Sequence, residues 1–171
     1  KSYTSLDGFE LSRRVKIDGF IKQLTPYPLE FTPGEKNVYS NSGYNLLAYI
    51  IETQGGKPFM EFMRERIFTP LGMTRTWERN PVHIIKRRAT GYETRDGELI
   101  GRDGNLTDLM GAGSIVSTIN DMIRWEEALR GNEFLKPASR AEVWKQFQFN
   151  GGDLSPYGFG WRISDMRGHK L

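Results

Sequence analysis

The 171-residue chain contains no cysteine. That excludes disulfides, thiol nucleophiles and cysteine-ligated zinc, and it leaves the compartment open. Histidine is nearly as scarce. His83 and His169 are too few and too far apart in sequence to argue for a metal site, and His83 reads as an ordinary surface or loop histidine. No apolar run reaches membrane-spanning length. There is no signal-peptide pattern either, but the chain opens on Lys1 rather than Met, so this says nothing about a parent protein. Neither sign of charge dominates: 24 basic against 21 acidic residues give a formal charge of +3, and the densest basic run, Lys86-Arg87-Arg88, reads as a solvated face. Without a one-sided basic stripe, zinc spacing or an RNA-binding motif, nucleic acid is not an expected partner.

Several catalytic signatures are also missing. The nucleophile elbow Gly-x-Ser-x-Gly does not occur; Gly111, Gly113 and Ser114 are a near miss at the wrong spacing. Gly101 to Gly104 lacks the Gly-Lys-Ser/Thr of a phosphate loop. Glu126 and Glu127 are neighbours on a helical pattern, so their side chains diverge and cannot work as a carboxylate pair.

What is present suits one modest domain. The hydrophobic fraction is 37% and the mean hydropathy -0.55, and this length can bury a core without staples. Val15, Ile17, Phe20, Ile21 and Leu24 have helical spacing, ended by Thr25-Pro26-Tyr27-Pro28. The clearest helix begins after Asn41 or Ser42 as N-cap. It carries Leu46, Leu47, Ile50 and Ile51 on one face and stops at Gly55-Gly56. Pro58 suits a first helical position, before an apolar stripe of Phe59, Phe62, Met63 and Phe68 that Pro70 stops. Residues 72 to 113 read as irregular chain with a short hairpin over Tyr92 to Ile100, turning at Asp96-Gly97. Thr118 followed by Asp121 resembles a capping box in which Asp stands for Glu, opening a helix with Ile119, Met122, Ile123, Trp125 and Leu129, closed near Gly131. A further helix is expected from Pro137 to about Phe147. The alternation Tyr157, Phe159, Trp161 reads as a tail strand, with a return through His169 to Leu171 as its sole partner within the chain. The expected class is mainly α with a few short strands (α+β).

The stretch that carries chemistry is Thr32-Pro33-Gly34 followed by Tyr39-Ser40-Asn41 before the clearest helix. It can hold a phenol and a carboxamide at the mouth of a site. Tyr-x-Asn alone is a weak signal and reads first as a surface turn with a helix cap. Its surroundings decide between the two. Pro33-Gly34, Tyr39-Ser40-Asn41, Gly43-Tyr44, Leu46-Leu47, Ile50-Ile51-Glu52 and Pro70-Leu71-Gly72-Met73, then Gly111 to Met122 and Tyr157 to Trp161, stand in that order. Together they resemble the class C β-lactamase, D-alanyl-D-alanine carboxypeptidase and esterase branch of the serine β-lactamase and penicillin-binding-protein superfamily, over nearly the whole chain.

The resemblance implies an acyl-serine hydrolase with a Ser-x-x-Lys serine, a Tyr-x-Asn element and a Lys-Thr-Gly or His-x-Gly strand. It gives Tyr39 the part of base, its phenol kept partly ionised by nearby ammonium groups, and Asn41 the orienting of the motif lysine and of the substrate's amide or ester oxygen. Ser40 shapes the turn. It implies no cofactor, a small-molecule or peptide substrate, and an exported bacterial parent, periplasmic or extracellular. Yet none of the ten serines has lysine three positions on, and neither third-motif sequence occurs, His169 included. The chain is therefore expected to be the central helical domain of such a hydrolase, without most of the mixed α/β domain, cut at both ends and inactive alone. The alternative is a non-catalytic binding or scaffold module on the same fold. Ser-x-x-Lys encoded before Lys1, with His-x-Gly or Lys-Thr-Gly after Leu171, would separate the two. Truncation also predicts self-association through an apolar face bearing Tyr39, Tyr44 and the tail strand.

Overall fold

The computed structural model describes residues 17–79, 84–101 and 110–170. His83 and the start of the first expected helix, before Ile17, lie outside them. Helix α1 (Ile17–Leu24) packs Ile17 and Phe20 inward. Helix α2 (Asn41–Gly55) is the centre of the fold, and its C-cap Gly56 takes the left-handed conformation, φ 65°, that closes a helix cheaply only with glycine. Next comes α3 (Phe59–Met63), which runs into a π-helical turn over Arg64–Phe68. Pro58 precedes α3 as its cap residue rather than opening it as the first helical position. Strand β1 (Trp77–Glu78) leads to the hairpin of β2 (Tyr92–Arg95) and β3 (Glu98–Gly101). Helix α4 (Met110–Gly113), strand β4 (Ile115–Val116) and helix α5 (Ile119–Arg130) follow. Helix α6 (Pro137–Val143) and the strands β5 (Asp165–Met166) and β6 (His169–Lys170) complete the order.

The described strands make three antiparallel pairs and no larger sheet: β1 with β4, β2 with β3, and β5 with β6. The β2–β3 turn falls on Asp96-Gly97, both at positive φ (53° and 83°), as the type I′ chemistry of an Asp-Gly pair requires. The core is small. Ile17, Ala48, Phe59, Met60, Phe68 and Met73 are buried together, with Tyr49, Ile51, Met63, Leu71 and Trp125 packed around them.

Four further expectations are corrected. Ser40, not Asn41 or Ser42, caps α2: its backbone is extended and its hydroxyl accepts the Gly43 N–H at 3.3 Å. The face of α2 turned inward carries Ser42, Asn45 and Ala48, whereas Leu46, Leu47 and Ile50 stay exposed. Small and polar residues face inward because the backbone of α4 comes too close for leucine: a Cβ on Gly111 would stand 2.2 Å from the Tyr44 carbonyl oxygen and 2.8 Å from the Ala48 methyl. Helix α6 ends at Val143 instead of running to Phe147. Finally, the tail aromatics do not form a strand. Residues 157–162 close a tight loop, with the Gly158 N–H donating to Trp161 O at 2.9 Å and Gly160 at φ +78°. The loop lies on the end of α6, where Phe159 N–H donates to Val143 O and Trp161 meets Trp144 edge to face. Gly158 passes so near Val143 that a Cβ there would lie 2.4 Å from its carbonyl oxygen. The glycines that interrupt the aromatics thus serve close approach and a turn, not strand alternation.

Candidate active site

Pro33 and Gly34 occupy the middle of a turn closed by Glu35 N–H to Thr32 O at 3.0 Å. Gly34 has φ +85°, the third-position requirement of a type II turn with proline before it. The Glu35 carboxylate completes the loop by accepting the Thr32 N–H at 3.1 Å. From there the chain runs without helix or strand pairing to Ser40, φ -146° and ψ 113°, and enters α2.

Extended backbone sends alternate side chains to opposite sides. Val38 and Ser40 face a cleft of about 310 Å³, lined also by Leu24, Tyr27, Leu29 and Phe31. Tyr39 does not line it. Its side chain is 75% exposed, and among the described residues no hydrogen bond or ion pair reaches the phenol. The nearest lysine in sequence, Lys36, lies over the Phe31 ring at 5.2 Å. Asn41 is half-buried as the first residue of α2. The structure therefore brings Tyr39 and Asn41 together at one helix N-terminus, one side chain in solvent and the other partly enclosed.

The turn and the helix start are held from three directions. Beneath α2, the Asn45 side-chain amide oxygen Oδ1 accepts the Gly111 N–H at 3.1 Å and fixes α4 to the helix. Above it, Gly160 passes close to the Tyr44 phenol, so near that a Cβ would lie 3.1 Å from the hydroxyl. At the turn, Asn150 donates its N–H to Gly34 O at 2.9 Å and its Nδ2–H to Pro33 O at 3.1 Å. Ser114, the near miss for a nucleophile, is fully buried and donates its hydroxyl to Met110 O at 2.6 Å, the part of a turn-closing serine. No group of three or more His, Asp or Glu among the described residues is placed to hold a metal ion.

Sequence reading missed Asn45 and Asn150. A signal existed for Asn45, a carboxamide in the middle of an apolar helix, since a buried amide needs partners. None existed for Asn150, whose Asn-Gly-Gly reads only as a turn.

The family model described as Beta-lactamase matches residues 3–170. The chain belongs to the β-lactamase family. A penicillin-binding protein of Bacillus subtilis (strain 168) is 33% identical over 148 residues, covering 79% of this chain and 33% of that protein. The D-aminopeptidase of Brucella anthropi is 29% identical over 141 residues, covering 82% of this chain and 27% of that protein. Among solved structures, the D-amino acid amidase from Ochrobactrum anthropi SV3, complexed with L-phenylalanine, superposes with a TM-score of 0.77 at 26% identity, over 98% of this chain and half (50%) of that one. The octameric penicillin-binding protein homologue from Pyrococcus abyssi shares the fold, with a TM-score of 0.74 at 23% identity over 90% of this chain and 36% of that one. This family chain thus spans a third or less of those curated relatives and half of the amidase. Its fold is that of the β-lactamase and transpeptidase-like proteins, and its family is one of serine hydrolases.

Proposed function

We propose that this chain is the central helical domain of a larger serine hydrolase that cleaves an amide or ester through an acyl-serine, and that it supplies Tyr39 and Asn41 to that site. The observation that carries the proposal is the exposed Tyr39 phenol on a segment fixed at both ends, two residues from Asn41 at the capped start of α2. A free serine hydroxyl is a weak nucleophile and needs a base within hydrogen-bond reach. In the proposed reaction the Tyr39 phenolate takes the serine proton as the oxygen attacks the carbonyl carbon. The phenol then returns the proton to the departing amine or alcohol as the carbonyl–heteroatom bond breaks. A water molecule, deprotonated by the same group, releases the acyl chain. Asn41 directs its carboxamide to the substrate carbonyl side and to the lysine beside the serine.

None of the ten serines here is followed by lysine at the third position, so the chain alone is proposed to be inactive. Incubation with a fluorescent penicillin or an activated ester, read by intact mass, is expected to give no covalent adduct. A stable acyl-protein would overturn that part of the proposal.

The proposal includes self-association. Leu46, Leu47 and Ile50 on α2 are each 43–53% exposed, and Tyr44 and Phe159 add to the apolar surface near the site. Contiguous exposed apolar surface drives association. Since the tail forms a closed loop, packing of these side chains is the proposed route, not strand pairing. Sedimentation is expected to show concentration-dependent association; a clean monomer at high concentration would count against it.

A further inference from the structure

We infer that Asn150 is a positioning residue for the proposed chemistry, the tether that fixes where Tyr39 stands. The inference rests on the reading of Tyr39 as base. The segment from Glu35 to Ser40 has two ends. At one, the Ser40 hydroxyl and the first turn of α2 hold it. At the other is the Pro33-Gly34 turn, whose own closing bonds, Glu35 to Thr32 and back, tie it only to itself. Asn150 joins that turn to the rest of the fold. A single residue 117 positions away donates to the carbonyls of both central turn residues, Gly34 through its backbone and Pro33 through its amide.

Gly34 is shaped to this contact. Besides its positive φ, a Cβ there would lie 2.4 Å from the Asn150 amide oxygen, so a side chain would push the tether off. Asn150 is itself held in a closed loop. Phe149 N–H donates to Asp153 O at 2.8 Å, Gly152 N–H to Phe149 O at 2.9 Å, and Gln148 Nε2–H to Gly152 O at 3.0 Å. With the Nδ2–H donor removed, the turn keeps one bond and the segment bearing Tyr39 can swing about Ser40. Proton transfer in a positioned site is sensitive to displacements of about 1 Å, which can cost on the order of a hundredfold in rate.

The test has two arms. In the 171-residue chain, Asn150→Ala and the near-isosteric Asn150→Asp, which cannot donate, are compared by amide hydrogen exchange. Both are expected to speed exchange at the Glu35 and Asn150 amides, whose N–H groups bond to Thr32 O and Gly34 O, while α5 is unchanged. Equal exchange at those two amides would overturn the tether. In the full-length hydrolase that the proposal implies, the same variants are expected to lower the acylation rate constant by about tenfold or more with KM moved by less than about threefold. Gly34→Ala is expected to lower it similarly, and the Gly34→Ala/Asn150→Ala double variant to fall well short of the product of the two effects, since both break one joint. An unchanged rate constant in Asn150→Ala, in an enzyme that Tyr39→Phe disables, would overturn the inference. If Tyr39→Phe is fully active, the catalytic reading fails instead, and the exchange arm still decides whether Asn150 holds the segment.

Discussion

Asp121 offers the most quantitative test of how this small fold is held together. It sits in the first turn of α5, 1% exposed, yet it is a carboxylate. One of its oxygens accepts the Arg75 N–H at 2.7 Å and the Thr76 hydroxyl at 2.9 Å; the other accepts from Arg124 Nη1 at 3.2 Å. A carboxylate only accepts, so Thr76 donates to it and Ser117, 2.8 Å from Thr76 Oγ1, donates in turn. The residue thereby sews α5 to the loop before β1, which nothing apolar on that side could do as well. Asp121→Ala removes the acceptor. The Arg75 N–H loses a charge-assisted bond and is left partly buried, at about 1–3 kcal/mol. The Thr76 hydroxyl can turn toward Ser117, so its loss is about 1 kcal/mol. Arg124 is 47% exposed and its ion pair contributes less than about 1 kcal/mol after screening. The expected sum is about 2–5 kcal/mol, a large share of the roughly 5–15 kcal/mol that holds a domain. Asp121→Asn, which can still accept from Arg75, should lose about half as much. Urea unfolding followed by far-UV circular dichroism reads this directly. At a slope of about 2 kcal/mol/M the Asp121→Ala midpoint should fall by about 1–2.5 M. Arg124→Ala matching Asp121→Ala, or Asp121→Ala shifting the midpoint by less than about 0.5 M, would refute the assignment.

Two further outcomes follow from contacts around α2. Ser40→Ala removes the cap and should cost about 1 kcal/mol, whereas Ser40→Gly should cost only a few tenths; thermal melts of both variants check the order. Gly111→Ala drives a methyl into the Tyr44 carbonyl and the Ala48 methyl, both on a helix that cannot yield. Strain of about 1–3 kcal/mol should lower the melting temperature, and an unchanged melt would show that α4 does not lie on α2.

Local chemistry was legible in the sequence where one residue type answers one backbone demand. Asp96-Gly97 named its turn, Thr118 its cap, and Pro33-Gly34 its bend, and each is found in place. Legibility failed where neighbours decide. Ser40, Asn41 and Ser42 are all good caps, and only the extended backbone at Ser40 selects one. The apolar pattern of α2 put Leu46, Leu47, Ile50 and Ile51 on one face, but of these only Ile51 packs against the core, and the close approach of Gly111 gives the inner face to Ser42, Asn45 and Ala48. The aromatic alternation near the C-terminus mimicked a strand because Gly158 and Gly160, placed between the aromatics, serve a turn and a close contact instead. At the candidate site, the motif and its order along the chain are what propose Tyr39 and Asn41. The hydrogen bond of Asn150 to the Pro33-Gly34 turn could not be read there, since nothing in local sequence reports a partner 117 residues away.

The central claim is that Tyr39 serves as the base for a serine that another part of the same hydrolase supplies. Its most direct test is the pre-steady-state acylation rate of the full-length protein by a fluorescent penicillin or an activated ester, with and without Tyr39→Phe. Loss of a positioned base is expected to slow acylation by about a hundredfold or more while unfolding of the protein is unchanged. Equal acylation rates in the two proteins would contradict the account.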